Sequence, residues 1–164
     1  MTFSIEALFT CPTAGAPMQS QSRVKVIAGV GIEGDRYAAG VGAYSSLEPI
    51  KRRDITFIAL SGIDTANDWQ TGAERPCFAP GETRRNVVLS GISSGELNDL
   101  VGRAFSVNGV RFMGLDLAVP CPRPGQLTGY AGFEEAFEGR AGLRALVLDS
   151  GELKVGDEGE VASG

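Results

Sequence analysis

Short hydrophobic stretches separated by glycine-rich turns constrain the fold of this chain more than any other feature of its sequence. The chain has 23 glycines, and turn signals recur between stretches rich in β-branched and aromatic residues. The strand-like stretches are residues 4–10, 23–27, 55–60, 84–92, 104–107, 110–119, 143–148 and 150–161. Many short strands of this kind favour a mainly β fold, a barrel or a sandwich with a few short helices. A length of 164 residues predicts a single domain over residues 1–164.

The composition indicates a globular protein of a reducing compartment. Hydrophobic residues make up 43% of the chain and charged residues 21%. No stretch is apolar enough to span a membrane, and the first residues lack the layout of a signal peptide. Cys11, Cys77 and Cys121 share no CxxC spacing, which argues against a disulfide framework or a zinc ribbon. We therefore expect a cytoplasmic protein with no membrane partner.

The chain contains no histidine, and this excludes several kinds of active site. It can hold neither a Ser-His-Asp triad nor a Cys-His pair, and it has no imidazole to bind zinc or iron. A metal would have to be held by thiolate, by carboxylate or by atoms of a cofactor. Proton transfer would fall to Asp, Glu, Tyr, Lys, Cys or bound water.

The distribution of basic residues points to a small anionic ligand. The net charge of −5 argues against a broad nucleic-acid surface. Twelve of the fifteen basic residues are arginine, and several are clustered or lie beside glycine or proline. These are Arg36, Arg52-Arg53, Arg84-Arg85 and Arg123. Because the guanidinium group binds phosphate or carboxylate through two parallel hydrogen bonds, a local anion pocket is compatible with an acidic chain.

A GxGxxG pattern at Gly29, Gly31 and Gly34 follows a predicted strand, which invites comparison with dinucleotide-binding proteins. That fingerprint requires a helix to begin at the third glycine. Gly40 and Gly42 interrupt the stretch that follows, so we reject the dinucleotide interpretation. Two alternatives remain. One is a flexible glycine loop that presents Asp35 and Arg36 to a ligand, and the other is a plain turn with a local ion pair.

Arg84, Arg85 and Asn86 open the predicted strand over residues 84–92. Because successive side chains of a strand point to opposite faces, Arg84 and Arg85 would not both face one pocket unless a bulge intervened. The alternative to a binding role is a charged strand end in contact with solvent.

Cys121 lies among three prolines in the segment Val119-Pro120-Cys121-Pro122-Arg123-Pro124. The preceding strand forms a predicted hairpin over residues 104–107 and 110–119, with Asn108-Gly109 as a two-residue turn. Proline fixes the backbone and restricts the residue before it, so we expect a stiff loop that holds the thiol in one direction. Such a loop suits a reactive group, although a small buried hydrophobe in a proline turn is an equal alternative.

Two helices are predicted from the remaining pattern. Residues 61–69 form a short helix with Ser61 as its N-cap. Residues 126–138 form a longer one that ends at Gly139. The apolar stripe of the longer helix consists of Leu127, Tyr130, Phe133 and Phe137. Spacing of this kind indicates a face packed on the core.

Four segments in this order resemble the MOSC domain, the family named for the C-terminal part of molybdenum cofactor sulfurases. They are Gly31-Ile32-Glu33-Gly34-Asp35-Arg36, then Arg84-Arg85-Asn86-Val87 with Gly91, then Pro120-Cys121, then Gly142-Leu143-Arg144-Ala145 with Gly156-Asp157. The resemblance covers residues 16–161. No single motif is diagnostic, but the four together are specific.

The resemblance implies a β-barrel-like fold that binds the molybdenum cofactor (molybdopterin), a pterin dithiolene bearing a phosphate. Cys121 corresponds to the family's cysteine, which serves as a sulfur carrier or as a thiolate ligand to molybdenum. The residues we expect to bind the cofactor are Asp35, Arg36, Arg84, Arg85, Asn86 and Arg123. Thiolate is a soft ligand that suits a metal already held by dithiolene sulfurs, and a carried sulfur equally needs a nucleophilic thiolate.

The sequence departs from the family pattern in two respects. Tyr37 stands where the glycine-loop motif usually ends in histidine. The pyridoxal-phosphate domain of the large sulfurases is absent, and Lys25, Lys51 and Lys154 lie in no recognisable Schiff-base motif, so we do not expect pyridoxal phosphate. Electrons or sulfur would then come from a separate electron-transfer or sulfur-donor protein.

Three functional hypotheses remain open. The first is a molybdenum-dependent oxidoreductase that acts on a small-molecule substrate through a Cys121-ligated metal. The second is a sulfur carrier or sulfurtransferase that holds sulfur on Cys121 without redox catalysis. The third is a barrel that has kept the fold and lost the cofactor. The resemblance ranks the first above the second, and both above the third.

Overall fold

The computed structural model describes residues 2–46 and 52–162. Within these residues the chain forms eleven strands, four α-helices and one turn of 3-10 helix over Pro80–Thr83. The strands are β1 (Thr2–Thr10), β2 (Gln19–Gln21), β3 (Arg23–Ile27), β4 (Gly31–Ile32), β5 (Ile55–Ala59), β6 (Val87–Ser90), β7 (Ala104–Val107), β8 (Val110–Leu117), β9 (Leu143–Val147), β10 (Gly151–Lys154) and β11 (Glu158–Val161). The helices are α1 (Leu60–Gly72), α2 (Ser94–Asn98), α3 (Arg123–Thr128) and α4 (Phe133–Ala136). Lys51, one of the three lysines considered above, lies outside the described residues.

Seven strands close into a barrel, in the order β1, β6, β5, β9, β8, β7 and β11. The ring closes where β11 pairs antiparallel with β1, with Thr2 opposite Glu160. Strands β5 and β6 pair in parallel, with Phe57 opposite Val87, and α1 lies in the crossover that such a pair requires. The mainly β, barrel-like fold predicted from the sequence is therefore confirmed.

The apolar residues form two clusters, one inside the barrel and one outside it. Inside, the rings of Phe57, Phe105 and Phe112 contact one another with centroids 5.2–5.6 Å apart. A second sheet, in the order β10-β3-β4, adds its apolar face to this interior cluster. The outer cluster centres on Phe78, which meets the ring of Phe133 edge to face at 5.1 Å and joins α1 and α4 to the barrel wall.

The predicted hairpin at Asn108-Gly109 is confirmed. Val107 pairs with Val110, and the two turn residues have φ angles of 49° and 77°, both in the left-handed region. A two-residue turn of this kind matches the twist of the strands it joins. Strand β8 ends at Leu117, two residues before the predicted end at Val119, so the chain leaves the sheet before it reaches Cys121.

The single helix predicted over residues 126–138 is wrong. Two short helices, α3 and α4, occupy the region, because Gly129 and Gly132 adopt φ angles of 77° and 92°. Left-handed glycines end the first helix and precede the second. Phe133 and Phe137 are nevertheless buried in the outer cluster, as the apolar spacing predicted.

The predicted N-cap of the first helix is also wrong. Helix α1 begins directly after β5, with Ala59 at the N-cap and no side-chain cap. The hydroxyl of Ser61 instead donates a hydrogen bond to the carbonyl of Ile92 at 3.2 Å. The described helices are all too short or too polar to cross a lipid bilayer.

The glycine motif opens no helix. Gly31 lies in β4, where a Cβ atom would come within 2.5 Å of the Asp54 carbonyl oxygen, so the close approach of two backbones requires glycine. Residues 33–46 form successive turns in the described chain. The rejection of a dinucleotide-binding fold is therefore confirmed.

Candidate functional site

A pocket opens between the turns after β4, the segment before β6 and the loop that carries Cys121. It encloses about 530 Å³, counting the space at its open mouth. The residues that line it are Arg36, Tyr37, Ala43, Tyr44, Arg53, Thr56, Arg84, Arg85, Asn86, Cys121, Arg123 and Pro124. Residues from four separate parts of the chain thus meet at one site, and five of the twelve are arginine.

Cys121 is half-buried at the pocket, between the end of β8 and the start of α3. The hydroxyl of Tyr44 donates a hydrogen bond to its sulfur at 3.2 Å. This hydrogen bond, with burial, raises the pKa of Tyr44 to about 12. Tyr44 therefore stays protonated near neutral pH and remains a hydrogen-bond donor to the sulfur.

The structure brings Arg84 and Arg85 into the same pocket, and the predicted strand over residues 84–92 begins too early. Strand β6 starts at Val87, and Arg84 ends the 3-10 turn with a left-handed φ of 67°. Because this segment is not extended, the alternation of side chains between two faces does not apply to it. The two arginines share the pocket without a bulge.

These two guanidinium groups are held in place by backbone carbonyls. Arg84 donates to the carbonyl of Ala16, and the Nε of Arg85 donates to the carbonyl of Ala141 at 2.7 Å. Burial lowers the pKa of Arg84, and the charge of Arg36 lowers it further. Burial likewise lowers the pKa of Arg85 to about 10, against the attraction of Cys121. The fold therefore holds several positively charged guanidinium groups close together and partly out of water. Because an anion would offset their mutual repulsion, this arrangement favours binding of an anion.

Asp35 lies behind the pocket. Its side chain is 1% exposed, and its Oδ1 accepts hydrogen bonds from the Cys11 backbone N–H at 3.0 Å and from Arg36 at 3.1 Å. The Asp35–Arg36 pair is the local ion pair of the second alternative for the glycine loop, whereas the position of Arg36 at the pocket agrees with the first. Asp35 therefore orients Arg36, and Arg36 lines the pocket.

Asn86 lines the pocket, but its amide is committed to the barrel. Its Oδ1 accepts hydrogen bonds from the backbone N–H and the hydroxyl of Thr56, both at 3.1 Å. Its Nδ2 donates to the carbonyl of Phe9 at 3.2 Å. The side chain thereby joins β5, β1 and the start of β6.

Arg123 is the first residue of α3 and lines the pocket. Its guanidinium reaches the loop after β1, where a Cβ atom on Gly15 would lie 3.1 Å from its Nη2. A side chain at that left-handed position, where φ is 80°, would crowd Arg123.

Arg53 and Tyr44 are the main residues that sequence reasoning missed. The Arg53 guanidinium lies 4.9 Å from the ring centroid of Tyr44 and 5.7 Å from that of Tyr37. Its Nε is buried and has no hydrogen-bond partner in the part of the chain that the structure describes. The Arg52-Arg53 cluster was a usable signal for this residue. Tyr44 carried none, because it lies 77 residues before its partner Cys121.

The other two cysteines lie elsewhere. Cys11 is fully buried, and its thiol donates hydrogen bonds to the carbonyls of Thr13 at 2.8 Å and Ala16 at 3.3 Å. Cys77 is exposed. Of the three, Cys121 alone lines the described pocket.

The residues present fit an anionic cofactor that brings its own metal ligands. No described pocket residue is Asp, Glu or Lys, while the buried Nε of Arg53 faces no acceptor among the described residues. No group of three Cys, Asp or Glu side chains in the described chain could hold a bare metal ion. A dithiolene bearing a phosphate would satisfy both the arginines and a metal that takes one thiolate from the protein.

Comparisons with known proteins agree with this fold. The family model described as the MOSC domain matches residues 55–160. A crystal structure titled APC1665, the YuaD protein of Bacillus subtilis, has a TM-score of 0.82 and 22% identity, covering 100% of this chain and 97% of that one. The YiiM structure from Geobacillus stearothermophilus has a TM-score of 0.71 and 13% identity, covering 98% and 75%. The YiiM structure from Escherichia coli has a TM-score of 0.65 and 15% identity, covering 100% and 71%. No curated protein sequence matches the chain.

Proposed function

Because the chain belongs to the MOSC domain family, we propose that it binds the molybdenum cofactor in the arginine-lined pocket, with Cys121 as the protein's own ligand to the metal. The family is associated with this cofactor. The observation that carries the proposal is the meeting of one half-buried thiol with five guanidinium groups. A soft sulfur ligand and a set of phosphate-binding forks are the two things such a cofactor needs from a protein.

Seven polar residues at or behind the pocket have roles in this proposal. Arg36, Arg84 and Arg123 bind the phosphate and the other acidic edges of the cofactor through charge-assisted hydrogen bonds. Arg85 and Tyr44 hold the sulfur of Cys121, one by charge and the other by its hydrogen bond. Asp35 orients Arg36 from behind the pocket, and Asn86 fastens the segment that carries Arg84 and Arg85 to β5 and β1.

When bound, the metal centre would supply a two-electron oxidation or reduction of a small-molecule substrate. The chain would position that substrate beside Cys121 and Tyr44 at the open mouth of the pocket. We propose that a separate electron-transfer protein supplies the electrons. This is the function of an oxidoreductase.

A second candidate is a sulfur carrier, favoured by the partial exposure of Cys121 at the pocket. The hydroxyl of Tyr44, which donates to the sulfur of Cys121, can equally donate to a persulfide. In this case the arginines bind an anionic donor or acceptor of sulfur. The carrier needs no redox substrate, and a cysteine desulfurase would load it.

Metal analysis tests the first proposal. The protein is purified without oxygen from a host that makes the cofactor, and molybdenum and oxidised-pterin fluorescence are measured for the wild type, Cys121→Ala and Cys77→Ala. We expect about one metal per chain in the wild type and in Cys77→Ala, and loss of the metal in Cys121→Ala, because a single protein ligand is removed.

A fully metallated Cys121→Ala variant would contradict the role of Cys121. A wild type without metal or pterin would contradict cofactor binding and leave the sulfur carrier. Cyanide-labile sulfur on Cys121 after treatment with a cysteine desulfurase is the expected result for that carrier.

A further inference from the structure

We propose that the cofactor-free pocket is a sulfurtransferase site that takes thiosulfate, a small dianion with a transferable outer sulfur. The inference goes beyond cofactor binding. It deepens the sulfur-carrier candidate by naming its donor, and to that extent it rests on that candidate. The arrangement that carries it is a nucleophilic sulfur beside five guanidinium groups, with no described carboxylate in the pocket.

The nucleophile is the sulfur of Cys121. Cys121 is half-buried and lines the pocket, which opens to solvent. The hydroxyl of Tyr44 donates a hydrogen bond to this sulfur at 3.2 Å, and Arg85 lines the same pocket, so the sulfur lies beside a hydrogen-bond donor and a positive charge. The thiolate is the reactive form of cysteine and is the species that attacks a sulfur donor.

The guanidinium groups bind the oxygen end of the donor. The forked N–H groups of arginine match the oxygens of a tetrahedral oxyanion. Arg53 lines the pocket, and its Nε has no acceptor among the described residues, so contacts within that part of the chain do not fully occupy this guanidinium. The planar face of the same guanidinium lies 4.9 Å from the ring centroid of Tyr44, which keeps Arg53 beside the hydroxyl that contacts Cys121.

The acidity of the proton donors around the sulfur distinguishes between two possible substrates, thiosulfate and a phosphate ester. A thiol beside arginines could also attack a phosphate ester, but an alkoxide leaving group needs a general acid. The groups near Cys121 are phenol and guanidinium, whose ordinary pKa values are about 10 and above 12, so they are weak acids. Sulfite departs as a stable anion and needs no proton. The pocket therefore suits transfer of a sulfane sulfur better than hydrolysis of a phosphate ester.

The transfer step balances without an added oxidant or reductant. The Cys121 thiolate attacks the outer sulfur of thiosulfate, and a bond forms between the two sulfurs. The sulfur–sulfur bond of thiosulfate breaks, and its electron pair leaves with sulfite, which the arginines hold as it forms. The products are a Cys121 persulfide anion and sulfite, with the total charge unchanged. Cyanide then removes the outer sulfur as thiocyanate and restores the thiolate.

The test uses the full chain, made in a host that lacks the molybdenum cofactor. The protein is incubated with thiosulfate, sulfite release is measured, and the peptide that carries the added sulfur is identified by mass spectrometry. We expect one sulfite per chain, added sulfur on Cys121, and thiocyanate when cyanide follows. Cys121→Ser should lose all three signals, and Cys77→Ser should keep them. Alkylation of the wild-type protein before thiosulfate is added should also abolish sulfite release, which gives a readout that does not depend on a variant.

The arginine role has its own matched pair. Arg53→Gln should raise the thiosulfate concentration that gives the half-maximal rate by about tenfold, as expected for one charge-assisted hydrogen bond. Arg23→Gln is the control, because that side chain is 66% exposed and belongs to β3 outside the pocket. Its half-maximal concentration should match the wild type.

Several outcomes would overturn the proposal. They are absence of sulfite from the wild type, labelling of Cys77 in place of Cys121, an equal effect of the two arginine variants, and faster hydrolysis of phenyl phosphate than transfer from thiosulfate. If a cysteine desulfurase labels Cys121 and thiosulfate does not, the carrier function stands and the thiosulfate inference falls. If neither donor labels Cys121, both fall.

Discussion

The interior of the barrel and the pocket at its edge differ in how their groups are satisfied. Inside, Phe57, Phe105 and Phe112 pack against each other, and each is at most 1% exposed. In the pocket, like-charged arginines are gathered, and the buried Nε of Arg53 has no described partner. The interior is complete without a ligand, whereas the proposed binding of an anion would offset the repulsion among the arginines of the pocket. We therefore expect stability and binding to depend on different residues, because functional sites hold groups that are unfavourable for the fold alone.

The largest expected effect is on the interior. Phe57→Ala removes a fully buried ring from the centre of the barrel cluster, and we expect the free energy of unfolding to fall by about 3–5 kcal/mol. Chemical denaturation measures this change. Leu127→Ala, at a side chain that is 42% exposed, is the control and should change the value by less than about 0.5 kcal/mol. Equal effects of Phe57→Ala and Leu127→Ala on the free energy of unfolding would contradict the assignment of stability to the barrel interior.

Arg53→Gln, in contrast to Phe57→Ala, is expected to weaken anion binding without lowering the stability of the fold. The dissociation constant for inorganic phosphate, measured by calorimetry, should rise about tenfold or more, because a hydrogen bond to a charged group contributes about 1.5–3 kcal/mol. The free energy of unfolding should not fall, since burial already lowers the pKa of Arg53 and so disfavours its charge in the fold. A loss of stability without a change in phosphate affinity would assign Arg53 to the scaffold.

Asn86→Ala tests a residue that lies between the barrel and the pocket. Although Asn86 lines the pocket, its amide joins three strands, and its removal leaves the Thr56 N–H and the Phe9 carbonyl without partners. We expect the free energy of unfolding to fall by about 1–3 kcal/mol. Asn98→Ala, which removes one exposed hydrogen bond, should have a much smaller effect. A stable Asn86→Ala variant with weakened anion binding would place Asn86 with the ligand-binding groups.

Tyr44→Phe is the smallest expected effect. It removes the hydroxyl that donates to Cys121, and alkylation of Cys121 by iodoacetamide at neutral pH should slow by about twofold to fivefold, because the hydrogen bond that holds the sulfur in position is lost. Tyr130→Phe is the control, since that ring packs on Phe78 in the outer cluster. An unchanged rate in Tyr44→Phe would show that the contact does not influence the sulfur.

Local sequence signals predicted the elements that depend on neighbouring residues. The Asn108-Gly109 turn was correctly predicted, because Asn and Gly both tolerate the left-handed conformation that a two-residue hairpin turn between apolar strands requires. The helix over residues 126–138 was wrong, because its apolar spacing persists through Gly129 and Gly132 and only the packed structure shows that both are left-handed. Gln70 and Arg75, about sixty positions earlier in the chain, approach Gly132 so closely that a Cβ atom would not fit there, and this contact exists only in the folded chain.

By itself, the sequence determined the mainly β fold, the absence of imidazole chemistry, the family resemblance and the identity of Cys121 as the thiol to examine. These follow from composition, from short-range pattern and from the order of motifs. Tertiary structure alone decided that Arg84 and Arg85 share a pocket, that Asp35 lies behind it, that the Asn86 amide is committed to the barrel, and that Tyr44 contacts Cys121. The physical reason is that closure of the barrel brings together segments distant in sequence, and the resulting contacts leave no local signal in any one segment.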